Sequence, residues 1–184
     1  MTENITQTTP QELASQAQSA YEAEEFQQAA RLFEEVARLY KLAEEDVLAA
    51  EALNNRSVAL LKAGDAKGAF AAADGTDQVF AAVGDLRRQG MALGNMAAAL
   101  EDLKERERAM DLYRQSAGLF EKIGESDLRA LVLQRISAIQ LHQGKRIEAM
   151  ASMQDGLAQK KSLSLVDRIL KGLLRLIGKM SNRS

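Results

Sequence analysis

Residues 86–124 read LRRQGMALGNMAAALEDLKERERAMDLYRQSAGLFEKIG. Leu86, Leu93, Met96, Ala97, Leu100 and Leu103 recur at the spacing of one helix face. A polar step at Lys104-Glu105 interrupts the pattern. Ala109, Leu112, Tyr113, Ala117, Leu119 and Phe120 then take it up again. Gly124 closes the stretch, as glycine commonly does after a helix because it adopts positive φ without strain. The stretch is therefore a hairpin of two helices, each with one apolar face.

The hairpin is one copy of several. Ala29, Ala69, Ala109 and Ala149 stand forty residues apart, and so do Leu13, Leu53, Leu93 and Leu133. A third column, Ala17, Ser57, Ala97 and Ser137, is small throughout. Three columns with one period over four copies define an internal repeat. Small residues at fixed places on both helices let them approach closely, and Phe33, Ala73, Tyr113 and Met153 lie one turn beyond the repeating alanine to fill the space beside it. Helices are expected near 11–23, 27–43, 47–63, 66–83, 86–103, 106–123, 126–142 and 146–161, with a ninth over about 165–179. In the second unit Asp74-Gly75 falls inside a helix, so that helix is expected to kink or to pack unusually close.

Composition agrees. Of 184 residues 46% are hydrophobic, enough for a continuous core, while aromatics are 4% and Pro10 is the single proline. Residues rich in Ala, Leu, Glu, Gln and Arg favour helix. There is no cysteine, which excludes a disulfide framework and suits a reducing compartment. The first ten residues, MTENITQTTP, lack an apolar signal core and are expected to be disordered, and the expected location is cytoplasmic. The net charge of −2 is uneven. From residue 160 onward seven basic residues face the single acid Asp167, a balance of +6 that leaves −8 for residues 1–159.

The repeat resembles the tetratricopeptide repeat, whose helical pair carries a large apolar residue, a small one four positions later, and Ala-x-x-x-aromatic in the second helix. Leu93, Ala97, Ala109 and Tyr113 fill those places in the third unit, as Leu13, Ala17, Ala29 and Phe33 do in the first. The step is longer than that family's usual one. It is similar to the forty-residue variety of Pins-type adaptors, and Ala92-Leu93-Gly94-Asn95 is close to a phrase those repeats use. The resemblance implies an all-α, right-handed α-solenoid of four hairpins at about 11–45, 46–85, 86–125 and 126–163, followed by a basic amphipathic C-terminal helix and tail at 164–184.

Such a fold implies protein–protein interaction, as an adaptor or scaffold that takes a partner peptide in its concave groove. Ser15, Asn55, Asn95 and Arg135 share one column on the first helices, which in tetratricopeptide domains lines that groove. An asparagine can donate to and accept from an extended backbone, and Arg135 could clamp a carboxylate through both of its terminal donors. Asn55, Asn95 and Arg135 are the leading contacts, with Asn54 and His142 behind them. Asn55 and Asn95 could instead satisfy polar groups between helices. The two-carboxylate clamp of chaperone-binding members would need other residues at Ala14, Gln18 and Met91, so a chaperone tail is disfavoured.

The chemistry of an enzyme is missing. His142 is the only histidine, and with no cysteine a zinc site is improbable. Gly64-Asp65-Ala66-Lys67-Gly68 lacks the spacing of a phosphate loop, and Asp74-Gly75-Thr76-Asp77 lacks the remaining ligands of a calcium loop. No catalytic residue, metal, cofactor or nucleic-acid partner is expected. Two other functions stay open: a regulatory sensor whose groove responds to a peptide, and a membrane-docked assembly factor. The second would use residues 165–180, where Val166, Ile169, Leu170, Leu173, Leu174 and Ile177 form an apolar stripe beside a basic face. That helix is expected first of all to cap the last unit, covering Leu141, Ile147 and Met150, and it could also join two copies in a homodimer.

Overall fold

The computed structural model describes residues 9–159 and positions 167, 170, 171 and 174. Nine helices follow one another, with no strand among the described residues: α1 (Pro10–Glu22), α2 (Phe26–Leu42), α3 (Asp46–Lys62), α4 (Ala66–Ala73), α5 (Thr76–Ala82), α6 (Leu86–Asp102), α7 (Arg106–Lys122), α8 (Ser126–His142) and α9 (Arg146–Gln159). Each packs on its neighbours in the chain, and no helix reaches far beyond them. The result is an all-α solenoid. First helices α1, α3, α6 and α8 make one layer, and α2, α4–α5, α7 and α9 make the other.

The turns keep a shorter beat than the repeat. Residues 24, 44, 64, 84, 104, 124 and 144 all take positive φ, one every twenty residues. At each turn the next N–H reaches back to a carbonyl five residues earlier, as from Asp65 to Leu60, Asp85 to Phe80 and Glu105 to Leu100, all at 2.9 Å. This Schellman-type closure satisfies carbonyls that a helix end would otherwise leave unpaired. The same residue then begins the following helix, and Asp65 and Asp85 also cap it with their side chains, accepting from Gly68 and Arg88 N–H. Leading the first helix, Thr9 and Glu12 form a reciprocal capping box with Pro10 in the first turn. The first helix thus starts at Pro10, inside the stretch expected to be disordered; residues 1–8 of that stretch lie outside the described residues.

The repeating small residues are the centre of the packing. Ala29, Ala69, Ala109 and Ala149 are all buried, as are Ala17, Ser57, Ala97 and Ser137. Ser137 Oγ donates to the carbonyl of Ala149 at 2.8 Å, which brings two of these columns into direct contact. A further small column lies in the second helices, at Val36, Thr76, Ser116 and Gly156, every member buried. Ser116 Oγ donates to the carbonyl of Gly90 at 2.7 Å, where a Cβ on Gly90 would stand 2.8 Å from the buried Phe120 ring. In the next unit Gly156 takes the close approach instead, where an added Cβ would stand 3.3 Å from the carbonyl oxygen of Ala130. Arg129 staples the same unit with a bidentate pair to Asp155 at 3.0 and 2.8 Å.

Two expectations change. The single helix over 66–83 is broken into α4 and α5 at Asp74-Gly75, where Gly75 has φ of 78°. Glycine and the missing aromatic at Ala73 make this the weakest stretch of second helix, and Thr76 restarts the chain by donating Oγ1 to the Ala73 carbonyl at 2.6 Å. Leu141 and Ile147, expected beneath a C-terminal cap, are 51% and 83% exposed. They sit beside the α8–α9 turn, outside the packed face. Positions 167, 170, 171 and 174 are helical, with Asp167 and Leu174 buried. The rest of the expected C-terminal helix and tail lies outside the described residues.

Candidate functional site

Turns that recur every twenty residues bring each first helix round in step with the next, so one column of the repeat becomes one line along the first-helix layer. Asn55 on α3 and Asn95 on α6 occupy that line and meet at a cleft of about 160 Å³. Glu51, Asn54, Val58, Phe80, Arg87, Arg88 and Met91 complete its walls. Asn55 and Val58 also border a second cleft toward α1, of about 100 Å³, with Gln18, Tyr21 and Phe33. The two clefts share a wall and run across α1, α3 and α6.

The five expected contacts stand in different situations. Asn55 is exposed, and its amide has no hydrogen-bond partner among the described residues. Asn95 is half-buried; its Nδ2 donates to Asn54 Oδ1 at 3.0 Å, leaving its own carbonyl oxygen toward the cleft. Asn54 is buried, and its Nδ2 donates to Thr76 Oγ1 at 2.8 Å and to the Ala50 carbonyl at 3.2 Å. Its amide joins the α4–α5 break to α6, so the three units of this network hold one another: Asn95 to Asn54, Asn54 to Thr76, Thr76 to the Ala73 carbonyl. Arg135 is exposed on α8, but its guanidinium already holds a carboxylate of its own chain, Glu101, with Nη2 at 2.8 Å and Nε at 3.1 Å. His142 is exposed at the last turn of α8, away from the cleft walls.

The Arg135 site carries more than an ion pair. Tyr113 is buried, and its hydroxyl donates to the same Glu101 carboxylate at 3.1 Å. Burial, opposed in part by the nearby Arg135, pushes the Tyr113 hydroxyl from its ordinary value near 10 up to about 12. Glu101 thereby ties the repeat's aromatic column to its groove column. Nothing in the column spacing marks Glu101, because its own forty-residue partners are Tyr21, Leu61 and Leu141.

At the far end of the cleft two arginines lie side by side. Arg88 sits over the Phe80 ring at 6.0 Å and pairs with Glu51 at 3.4 Å and Asp85 at 3.5 Å. Arg87 pairs with Glu125 at 3.0 Å. Among the described residues no group of three or more His, Cys, Asp or Glu converges as a metal site would, and no helix is long and apolar enough to cross a membrane. A mixed wall of Val58 and Met91 with polar residues, the open Asn55 amide and partnered charges suit reversible binding of a polypeptide.

The family model for soluble NSF attachment protein, SNAP, matches residues 6–172. The chain belongs to the SNAP family. Compared with individual curated proteins, it matches none. The SNAP match takes in all nine helices of the solenoid and three of the four positions described beyond them, 167, 170 and 171. It establishes a helical-repeat, non-enzymatic adaptor family, and it bears out the repeat and the all-α class at that level. The family shown is SNAP, not the Pins-type adaptors whose repeat the chain resembles. As a SNAP-family protein, the chain belongs among proteins that act through protein partners.

Proposed function

We propose that this chain is an adaptor that holds an extended or helical segment of a partner protein along its first-helix layer. Asn55, Asn95 and Arg135 form the line of contact in this reading. Asn54 supports it from behind by fixing Asn95, and His142 marks its C-terminal rim. The observation that carries the reading is the open Asn55 amide and the free carbonyl oxygen of Asn95 at one cleft, where Val58 and Met91 stand among the polar walls Glu51, Asn54, Arg87 and Arg88. An amide that both donates and accepts suits a polypeptide backbone, and a neighbouring apolar wall suits its side chains. The family's name describes attachment to NSF. For this chain the proposal extends to a protein partner in the groove, in a cytoplasmic setting.

The test separates binding from folding. Asn55→Ala should weaken partner capture from the native cell while leaving the melting temperature within the range of an exposed polar change, about 0.5 kcal/mol. Asn95→Ala should weaken capture and also cost about 1–2 kcal/mol, because buried Asn54 loses its acceptor's partner. Capture undiminished in both variants, with folding intact, would remove this face from the binding site.

A further inference from the structure

The cleft between α3 and α6 has the size, polarity and charge to recognise one particular feature of a partner. Its volume of about 160 Å³ is close to that of a cavity that takes up a benzene molecule, ~150 Å³. One leucine-sized side chain would occupy it. Val58 and the rim residue Met91 supply the apolar contact, with the buried Phe80 ring behind them, and an exposed methionine adapts to irregular shapes. Asn95 Oδ1 and the Asn55 amide stand free at the mouth to meet the backbone on either side.

Two arginines border the cleft, each already paired with carboxylates of this chain: Arg87 with Glu125, and Arg88 with Glu51 and Asp85. Their existing pairs with Glu51, Asp85 and Glu125 lie at the surface, where exchange with another carboxylate costs little. We infer that the cleft is a receptor for an apolar side chain flanked by a carboxylate, presented on a partner peptide. The inference rests on the proposed adaptor reading and names the chemistry of what the groove takes.

Blocked dipeptides test it on the full chain. Acetyl-Leu-Asp-amide, acetyl-Ala-Asp-amide and acetyl-Leu-Lys-amide are each titrated against protein labelled in its methionine methyl groups. Acetyl-Leu-Asp-amide should move the Met91 methyl resonance saturably and leave that of Met150 in place. The alanine probe should bind more than about tenfold more weakly, the scale set by lost methyl groups in an apolar pocket. The lysine probe should bind about two- to fivefold more weakly, the scale of an exposed ion pair. Arg88→Gln should abolish the preference for aspartate over lysine while keeping that for leucine over alanine. A Met91 signal that does not saturate, or equal binding of the leucine and alanine probes, overturns the inference. If the probes fail while Asn55→Ala still lowers partner capture, the adaptor reading stands without it. If the Met91 resonance moves with protein concentration alone, the cleft is occupied by a second copy, and the inference falls.

Discussion

Lys104 occupies a position that four of the seven inter-helix turns give to glycine: its φ is 67°, in the left-handed region, as are those of Glu24 and Glu44 at 61°. A side chain costs about 1–2 kcal/mol there, and glycine removes that cost while adding freedom to the unfolded chain. Lys104 is exposed, so nothing else changes on replacement. Lys104→Gly should therefore raise stability by up to about 1 kcal/mol, read as a higher denaturant midpoint at unchanged slope. Tyr113 makes a prediction in pH. Its hydroxyl ionises near 10 in the unfolded chain and at about 12 when folded. Below the first value the proton is bound in both states and this contribution is fully present. As pH rises the unfolded chain releases it first, so stability falls through that window and is lost above about 12. Tyr113→Phe should flatten this alkaline loss and remove a late step from the tyrosinate absorbance titration.

At the scale of helices, close approach is the controlling feature. Ala109 is fully buried where α6 and α7 meet, in one core cluster with Ala97, Leu100 and Tyr113. Ala109→Leu should cost about 1–3 kcal/mol by overpacking, while Gln115→Leu on the exposed side of α7 should change the thermal midpoint little. The columns that make this contact were legible from spacing, because a forty-residue period projects onto one line of a stack. The break in the second unit was half legible. Asp74-Gly75 marks a weak point, but its repair by Asn54 joins residues twenty-two apart through side-chain geometry that periodicity does not carry. The same limit hid Glu101. Arg135 reads as a carboxylate clamp, and the carboxylate it holds comes from the preceding first helix. Asn55 and Asn95 were legible as neighbours along the groove, whereas the burial of Asn54 depends on the turn of α3 that points it toward Thr76.

At the scale of the molecule, the helix contacts among the described residues run between near neighbours, so the seven evenly spaced turns determine how units follow one another. That spacing has a genetic consequence. Residues 86–125 begin and end at equivalent points of two turns, and a second copy inserted after Glu125 would restore Gly124-Glu125 ahead of Leu86, much as Gly84-Asp85 precedes it now. The copied first helix would meet α7 with Ala92, Leu93 and Met96 where α8 offers Val132, Leu133 and Ile136, apolar at every place. The lengthened protein should fold with undiminished helicity per residue and a denaturant slope larger in proportion to its added surface. Loss of cooperative unfolding would show that the units are not interchangeable. An in-frame tandem duplication by unequal crossing-over would thus be tolerated here, while an insertion of a few residues within a helix would rotate everything beyond it out of phase.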